Sequence, residues 1–205
     1  MTPRPHTPSQ TVGPFFGYAL PFPGGGDIAP AGHADTITLH GHVHDGAGQP
    51  VPDAIIEIWQ ADPRGSLSGA PGSMRRDPVT GRGIGRDGVE FTGFGRVPTD
   101  ADGHWAARTL APGPHHDGAV PYLSLAVFAR GLLHHLFTRV YLPEHADALA
   151  RDPSLATLTP ERRATLLARR ERDALYRFDI RLQGEDETVF LDFPYAPRPL
   201  GDVRG

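Results

Sequence analysis

The stretch ITLHGHVHDGAGQPVPDAIIEIWQAD, residues 37–62, decides the fold class. Ile37, Leu39, Gly41 and Val43 alternate with Thr38, His40, His42 and His44, the period of two that sends successive side chains to opposite faces of a strand. Asp45-Gly46 opens a turn, and Ala54 to Trp59 supplies a second apolar run, so the segment reads as a hairpin-like β unit.

The same grammar continues outward. VPTDADGHWAARTL (97–110) gives a turn at Asp102-Gly103 and a strand around Trp105. PYLSLAVF (121–128) and the following ARGLLHHLFTRVYLP (129–143) read as two apolar strands, and YRFDIRLQG (176–184) alternates with Tyr176, Phe178, Ile180 and Leu182 on one face before a last strand in TVFLDF (188–193). Near Thr159-Pro160 the pattern changes to a capped short helix carrying Leu166 and Leu167 on one side. Gly 25 and Pro 22 among 205 residues disfavour long helices and suit short strands joined by shaped turns. The expected class is mainly β: a β-sandwich of two mixed sheets with long loop excursions and short helices. Residues 61–95, rich in Gly, Pro, Ser and Arg, form the longest excursion, and loops of that length in a compact domain carry function or interface.

Residues 1–35 read as an N-terminal arm packing on a partner, ahead of a β-sandwich domain over 36–205. TVGPFFGYAL (11–20) is apolar but lies between two turn-rich pieces, TPRPHTPS and FPGGGDIAPAG, and has no obvious place in a core of its own. The chain carries a net charge of −4 with its basic residues dispersed, which argues against a nucleic-acid backbone binder. It has no cysteine, so disulfides, thiolate metal sites and cysteine nucleophiles are excluded. No apolar run approaches the ~20 residues of a membrane span, and the first ten residues lack a signal-peptide core, so the expected location is cytoplasmic.

Several short motifs invite chemistry. Gly83-Ile84-Gly85-Arg86-Asp87-Gly88 spells GxGxxG, but no strand leads in and no helix leads out, as phosphate binding requires. Asp100-Ala101-Asp102-Gly103 lacks the third acidic position and the glutamate of a calcium loop and reads as a tight turn. His40, His42 and His44 share one strand face with Asp45 beside them; that spacing suits one metal, and it equally suits an outer face hydrogen-bonded to neighbours. The neighbours His134 and His135 point apart if they lie in a strand, and His115-His116 sits in a Pro/Gly loop without a third local ligand. No GxSxG elbow supports a serine nucleophile.

Five blocks, TPSQTVGPFFGYAL (7–20), GHVHDGAGQPVPDAIIEIWQAD (41–62), TDADGHW (99–105), FARGLLHHLFTRVYLP (128–143) and YRFDIRLQGEDETVFLDF (176–193), span nearly the whole chain in order. Together they resemble the intradiol ring-cleaving dioxygenase family, and within it the alpha type of its two-subunit members. The resemblance implies a β-sandwich and a non-haem Fe(III) held by two tyrosines and two histidines. Such a ferric ion chelates a catechol and draws electron density from it, so that dioxygen attacks the ring and cleaves it between the hydroxyl-bearing carbons.

Residue by residue, the resemblance places Leu67 (in Gly65-Ser66-Leu67) and His115 (in Pro112-Gly113-Pro114-His115) at the family's tyrosine positions. Tyr122 and Ser124 fall at its histidine positions, and the arginine expected just before them falls near Ala119. The implied reading is a chain with no metal and no catalytic residue in its own pocket, paired in a higher-order alpha–beta oligomer with a beta subunit that holds Fe(III) and the catecholic substrate. Thr11, Gly13, Pro14 and Arg130 match alpha residues that line the partner's substrate cavity, where a guanidinium would steer a carboxylated catechol such as 3,4-dihydroxybenzoate; an interface salt bridge is the alternative role for Arg130. Two other readings stay open at this point: a stand-alone β-sandwich module binding a small ligand, and a single-chain dioxygenase with replacement ligands.

Overall fold

The computed structural model describes residues 20–69, 74–86 and 88–192. Strand β1 (Thr36–His44) organises the first sheet. It pairs antiparallel with β6 (His104–Leu110) and parallel with β10 (Leu175–Arg177) and β11 (Ile180–Arg181), while β9 (Arg169–Arg172) extends the edge antiparallel to β10. The second sheet runs β5 (Phe94–Pro98), β2 (Ile55–Gln60), β7 (Leu123–Phe128), β8 (Leu136–Val140), and every pairing in it is antiparallel. One sheet is therefore mixed and the other antiparallel, and they close face to face on a single apolar core.

Alternation in the sequence becomes burial in the structure. Ile37, Leu39, Gly41 and Val43 are buried along β1 while its five polar residues are partly exposed. Those apolar residues meet Ile56, Ile58, Leu123, Leu125 and Val127 from the other sheet, with Trp105, Phe178 and Ile180 closing the core. Each large aliphatic side chain taken fully out of water contributes roughly 1.5–3 kcal/mol. A second cluster, Val120, Tyr141, Leu149, Leu155, Leu166 and Val189, lies beneath the short helices Ala146–Leu149 and Pro160–Ala164.

Four expectations need correction. The 37–62 unit is not a hairpin: β1 and β2 lie in different sheets, because the chain turns at Asp53 (φ 63°) and crosses to the opposite layer, where both Ile55 and Ile56 are buried. The helix capped by Thr159, whose hydroxyl accepts from Arg162 N at 3.3 Å, stops at Ala164; Leu166 then faces the second core, and Leu167 bridges to Tyr141. The described part of TVFLDF forms no strand and is tied down by Thr138 Oγ1 donating to Val189 O at 2.8 Å and Leu191 N to Phe137 O at 2.7 Å. Within the segment read as an arm, residues 28 and 29 pack into the chain's own sandwich: Ile28 is fully buried and its N–H donates to Arg108 O. Residues 1–19, including Thr11, Gly13 and Pro14, lie outside the described residues.

The long excursion 61–95 contains a two-stranded hairpin, β3 (Met74–Arg76) and β4 (Gly83–Arg86). The first glycines of the GxGxxG string lie in β4, a setting that forms no helix N-terminus for a phosphate. Asp100 Oδ1 accepts from the N–H groups of Asp102 and His104, both at 2.9 Å, with Gly103 at φ 74°, so that motif is a turn. No helix is long and apolar enough to cross a membrane among the described residues.

Candidate functional site

One end of the antiparallel sheet carries a cavity of about 290 Å³ lined by Trp59, Gln60, Ala61, Leu67, Gly113, His115, Tyr122 and Ser124. The sheet register builds part of it: Trp59 on β2 stands directly opposite Ser124 on β7, and Tyr122, two residues before Ser124, lies on the same side. Two crossing loops build the rest. Asp62 Oδ1 accepts from Arg64 N and Ser66 N, both at 2.8 Å, and Asp62 O accepts from Gly113 N at 2.9 Å, so one aspartate fixes the loop bearing Leu67 and pins it to the loop bearing His115.

The crossing requires glycine. A Cβ on Gly65, whose φ is +87°, would stand 2.0 Å from Pro114 O, and one on Gly113 would stand 2.3 Å from Pro63 O. Gln60 anchors the floor. Its amide nitrogen donates to Leu110 O at 2.8 Å, its amide oxygen accepts from Thr109 Oγ1 at 2.6 Å, and Gln60 and Thr109 are both buried.

The structure thus brings Leu67, His115, Tyr122 and Ser124 around one space. The His115 ring meets Tyr122 edge-on, with centroids 5.6 Å apart. On its other flank Tyr122 is covered by the Arg139 guanidinium, 4.1 Å above the ring, an arrangement that puts the cation on the electron-rich face. Arg139 also donates to the Tyr141 hydroxyl at 3.4 Å, and burial of Tyr141 pushes that phenol above its ordinary pKa of 10.0. His115, Tyr122 and Arg139 share the wall of a second, neighbouring cavity of about 530 Å³.

Residues 27–184 match the sequence profile of the family described as Dioxygenase. The chain belongs to the intradiol ring-cleaving dioxygenase family. Within it, the protocatechuate 3,4-dioxygenase alpha chain of Burkholderia cepacia is 42% identical over 94% of this chain and 100% of its own length, and that of Pseudomonas putida is 36% identical over 92% and 97%. The beta chain from Burkholderia cepacia is 29% identical over 75% of this chain and 67% of its own. The dioxygenase domain of a carbohydrate-binding fusion protein from Streptomyces sp. SirexAA-E shares the fold, with a TM-score of 0.55 at 23% identity, over 87% of this chain and 98% of that one.

Iron chemistry is what intradiol dioxygenases imply, and the cavity's residues do not fit a ferric site. Leu67 offers no donor atom, and Ser124 brings a neutral hydroxyl in place of an imidazole. The remaining pair, His115 and Tyr122, leaves a coordination shell half made, and the Arg139 cation on the Tyr122 ring opposes a trivalent ion nearby.

The other singled-out residues lie elsewhere. His40, His42 and His44 share the outer face of β1, and β6 adds His104, which sequence reasoning missed because only the β1–β6 register places it opposite His42. His40 Nδ1 lies 3.3 Å from His104 Nε2, His40 Nε2 lies 3.0 Å from Glu171 Oε2, and His42 Nδ1 lies 3.7 Å from Asp179 Oδ1. Burial lowers the pKa of both His44 and His104. No group of three or more His, Asp or Glu side chains there, or elsewhere among the described residues, is arranged to hold a metal ion. His134 and His135 precede β8 rather than lying in a strand, and the His135 ring packs between Phe128 and Phe137 at 5.2 and 4.5 Å. Arg130 sits in the turn after β7, half-exposed, with Nε 3.4 Å from Asp53 Oδ2 of the same chain.

Proposed function

We propose that this chain is the non-iron-binding alpha subunit of a protocatechuate 3,4-dioxygenase, supporting and lining the active site of an iron-bearing beta subunit. The complex would cleave 3,4-dihydroxybenzoate with dioxygen between its hydroxyl-bearing carbons, both oxygen atoms entering the product 3-carboxy-cis,cis-muconate. The observation that carries this reading is the end-to-end likeness to alpha chains, at 42% identity against 29% over a shorter span for a beta chain. The cavity supports it from the side of chemistry, since Leu67 and Ser124 stand at ligand positions in the family's frame and cannot complete an Fe(III) shell with His115 and Tyr122. On this reading Fe(III) and the catecholic substrate belong to the beta subunit, and the two chains form a higher-order oligomer.

Within that assembly, the part of residues 1–35 that precedes the docked residues 28 and 29 supplies the arm, with Thr11, Gly13 and Pro14 at the entrance to the partner's cavity, and Arg130 supplies positive charge for the substrate carboxylate. Native mass measurement and iron analysis test the assignment. The chain alone should be colourless and inactive, and co-expression with a beta-type chain should yield a ferric, tyrosinate-coloured, active hetero-oligomer. Stoichiometric iron in the isolated chain, or failure to associate, would overturn it. Deleting residues 1–16 should weaken assembly or raise the KM of the complex, and unchanged assembly and kinetics would remove the role given to the arm.

A further inference from the structure

We infer that the groove between the β3–β4 hairpin and residues 20–23 is a binding site for a small carboxylate whose apolar body is larger than one ring. The groove lies beside edge strand β5 and measures about 850 Å³. That is toward the upper end of the ~300–1,000 Å³ of small-molecule sites, and more than a single ring needs. Its walls are fixed to the same strand. Arg96 N donates to Gly25 O at 2.8 Å, which ties down the segment that follows residues 20–23. The Arg86 guanidinium on β4 donates to Thr92 Oγ1 and Phe94 O, which ties down the hairpin.

Charge selects an anion. The chain carries a net −4, yet here guanidiniums outnumber carboxylates: Arg76, Arg82 and Arg96 line the groove, and Arg86 stands 5.7 and 5.8 Å from the Phe22 and Phe94 rings that also line it. The two nearby acids are already engaged. Glu57 accepts from Arg96 Nε at 2.8 Å, and Asp77 Oδ1 accepts from Val79 N at 2.9 Å and Thr80 N at 2.7 Å. Two cations keep spare donors: Arg76, which gives one hydrogen bond to Gly81 O at 3.2 Å, and Arg82, whose guanidinium makes no hydrogen bond or ion pair with another described residue. Residues 1–19, which precede this wall in sequence, contain no Asp or Glu to offset them. A guanidinium fork matches a carboxylate through paired N–H donors. The apolar body has its counterpart in the Phe22 and Phe94 rings and in Leu20 and Ile84, large apolar side chains 36% and 47% exposed on the two walls. Exposed apolar groups beside a few convergent polar ones are the ordinary anatomy of a small-molecule site.

The test uses the full chain, titrated by calorimetry and ligand-observed NMR with naphthalene-2-carboxylate, its cationic counterpart 2-naphthylmethylamine, and benzoate. The naphthoate should bind 1:1 with a Kd of about 1 mM, the value open to a ligand of thirteen non-hydrogen atoms. The amine should bind at least about tenfold more weakly, and benzoate about fivefold or more. The double variant Arg76→Gln/Arg82→Gln changes two exposed side chains and so keeps the fold; it should weaken naphthoate about five- to tenfold. Arg172→Gln, an exposed arginine on β9 away from the groove, should leave the affinity unchanged. Absence of saturable naphthoate binding below about 10 mM, amine binding as well as naphthoate, or equal effects of the groove and β9 variants would each overturn the inference. Tighter binding of an acetylated tetrapeptide alternating glutamate and phenylalanine would give the groove to a protein segment and overturn it as well.

Discussion

Replacing Gly65 with alanine tests whether the two crossing loops hold the cavity together. Gly65 has φ +87°, and an added Cβ would lie 2.0 Å from Pro114 O and 3.5 Å from His115 Cα. Gly131 has almost the same conformation, φ +89°, with nothing within 4 Å of its added Cβ. Both substitutions force alanine into left-handed backbone at a cost of about 1–2 kcal/mol, so that cost cancels between them. The difference is the crossing. Carbon–oxygen contacts begin near ~3.3 Å, so the loops carrying Leu67 and His115 must part by more than ~1 Å. The Gly113 N–Asp62 O hydrogen bond at 2.9 Å cannot survive that parting. Its loss costs about 1 kcal/mol and the overpacking roughly 1–3 kcal/mol more. Gly65→Ala should thus exceed Gly131→Ala by about 2–4 kcal/mol, which at ~2–4 °C per kcal/mol for a domain of this size is a gap of about 4–16 °C in Tm. Differential scanning calorimetry of the two variants beside the parent measures it. Equal Tm losses, within ~2 °C, would refute the claim that close approach rather than backbone conformation selects glycine at residue 65.

Three further outcomes follow from the same geometry. Burial first, and then neighbouring cations, hold His44 and His104 below 6.5: Arg181, His42 and Arg177 act on His44 against Asp179, and His42, His40 and Arg177 act on His104 against Asp100. The unfolded chain then binds protons at higher pH than the folded one, so this stabilisation is complete above about pH 6.5 and is lost as pH falls through the lowered folded values. Thermal melts from pH 7.5 to 5 should show Tm falling, with a shallower slope in the double variant His44→Gln/His104→Gln; an unchanged slope would count against the histidine face as the cause. Thr109→Val removes the donor to the buried Gln60 amide oxygen and should cost about 1–3 kcal/mol, read as a lower urea midpoint at constant m value. Arg130→Gln removes the cation beside Asp53, whose side chain is 14% exposed, and should cost about 1–3 kcal/mol while the KM of the alpha–beta complex for the carboxylated substrate rises; an unchanged KM would leave Arg130 only its structural contact.

The sandwich was legible because its strands bury one face each, and Ile37, Leu39 and Val43, or Tyr176, Phe178 and Ile180, announce that face by period two. What stayed hidden was partnership. Alternation tells which side of a strand is apolar but not which strand lies beside it, so β1 and β2 read as a hairpin although they belong to opposite sheets. The parallel pairing of β1 with β10 and β11 joins residues more than 130 positions apart and depends on Gly41, where a Cβ would stand 1.8 Å from Phe178 O. The cavity was legible only in its corners. Leu67, His115, Tyr122 and Ser124 could be named from family likeness, whereas Trp59, and Arg139 in the wall of the neighbouring cavity, enter through register: each stands opposite Ser124, on β2 and β8.

That register also separates Arg130 from the cavity. Ser124 marks the cavity end of β7, and the strand then runs to Phe128 before the turn that carries Arg130. Four residues at ~3.3 Å each put the far end of the strand about 13 Å from Ser124, and Arg130 turns back there onto Asp53, which also lies outside the cavity lining. A guanidinium so placed does not reach the space between Trp59 and Tyr122. A carboxylated substrate handled by Arg130 therefore belongs to a site on another chain. Arg130→Gln should alter the kinetics of the complex and Tyr122→Phe should leave them unchanged; a Tyr122→Phe variant that raised the KM of the complex would show that the two ends of the strand act on one site.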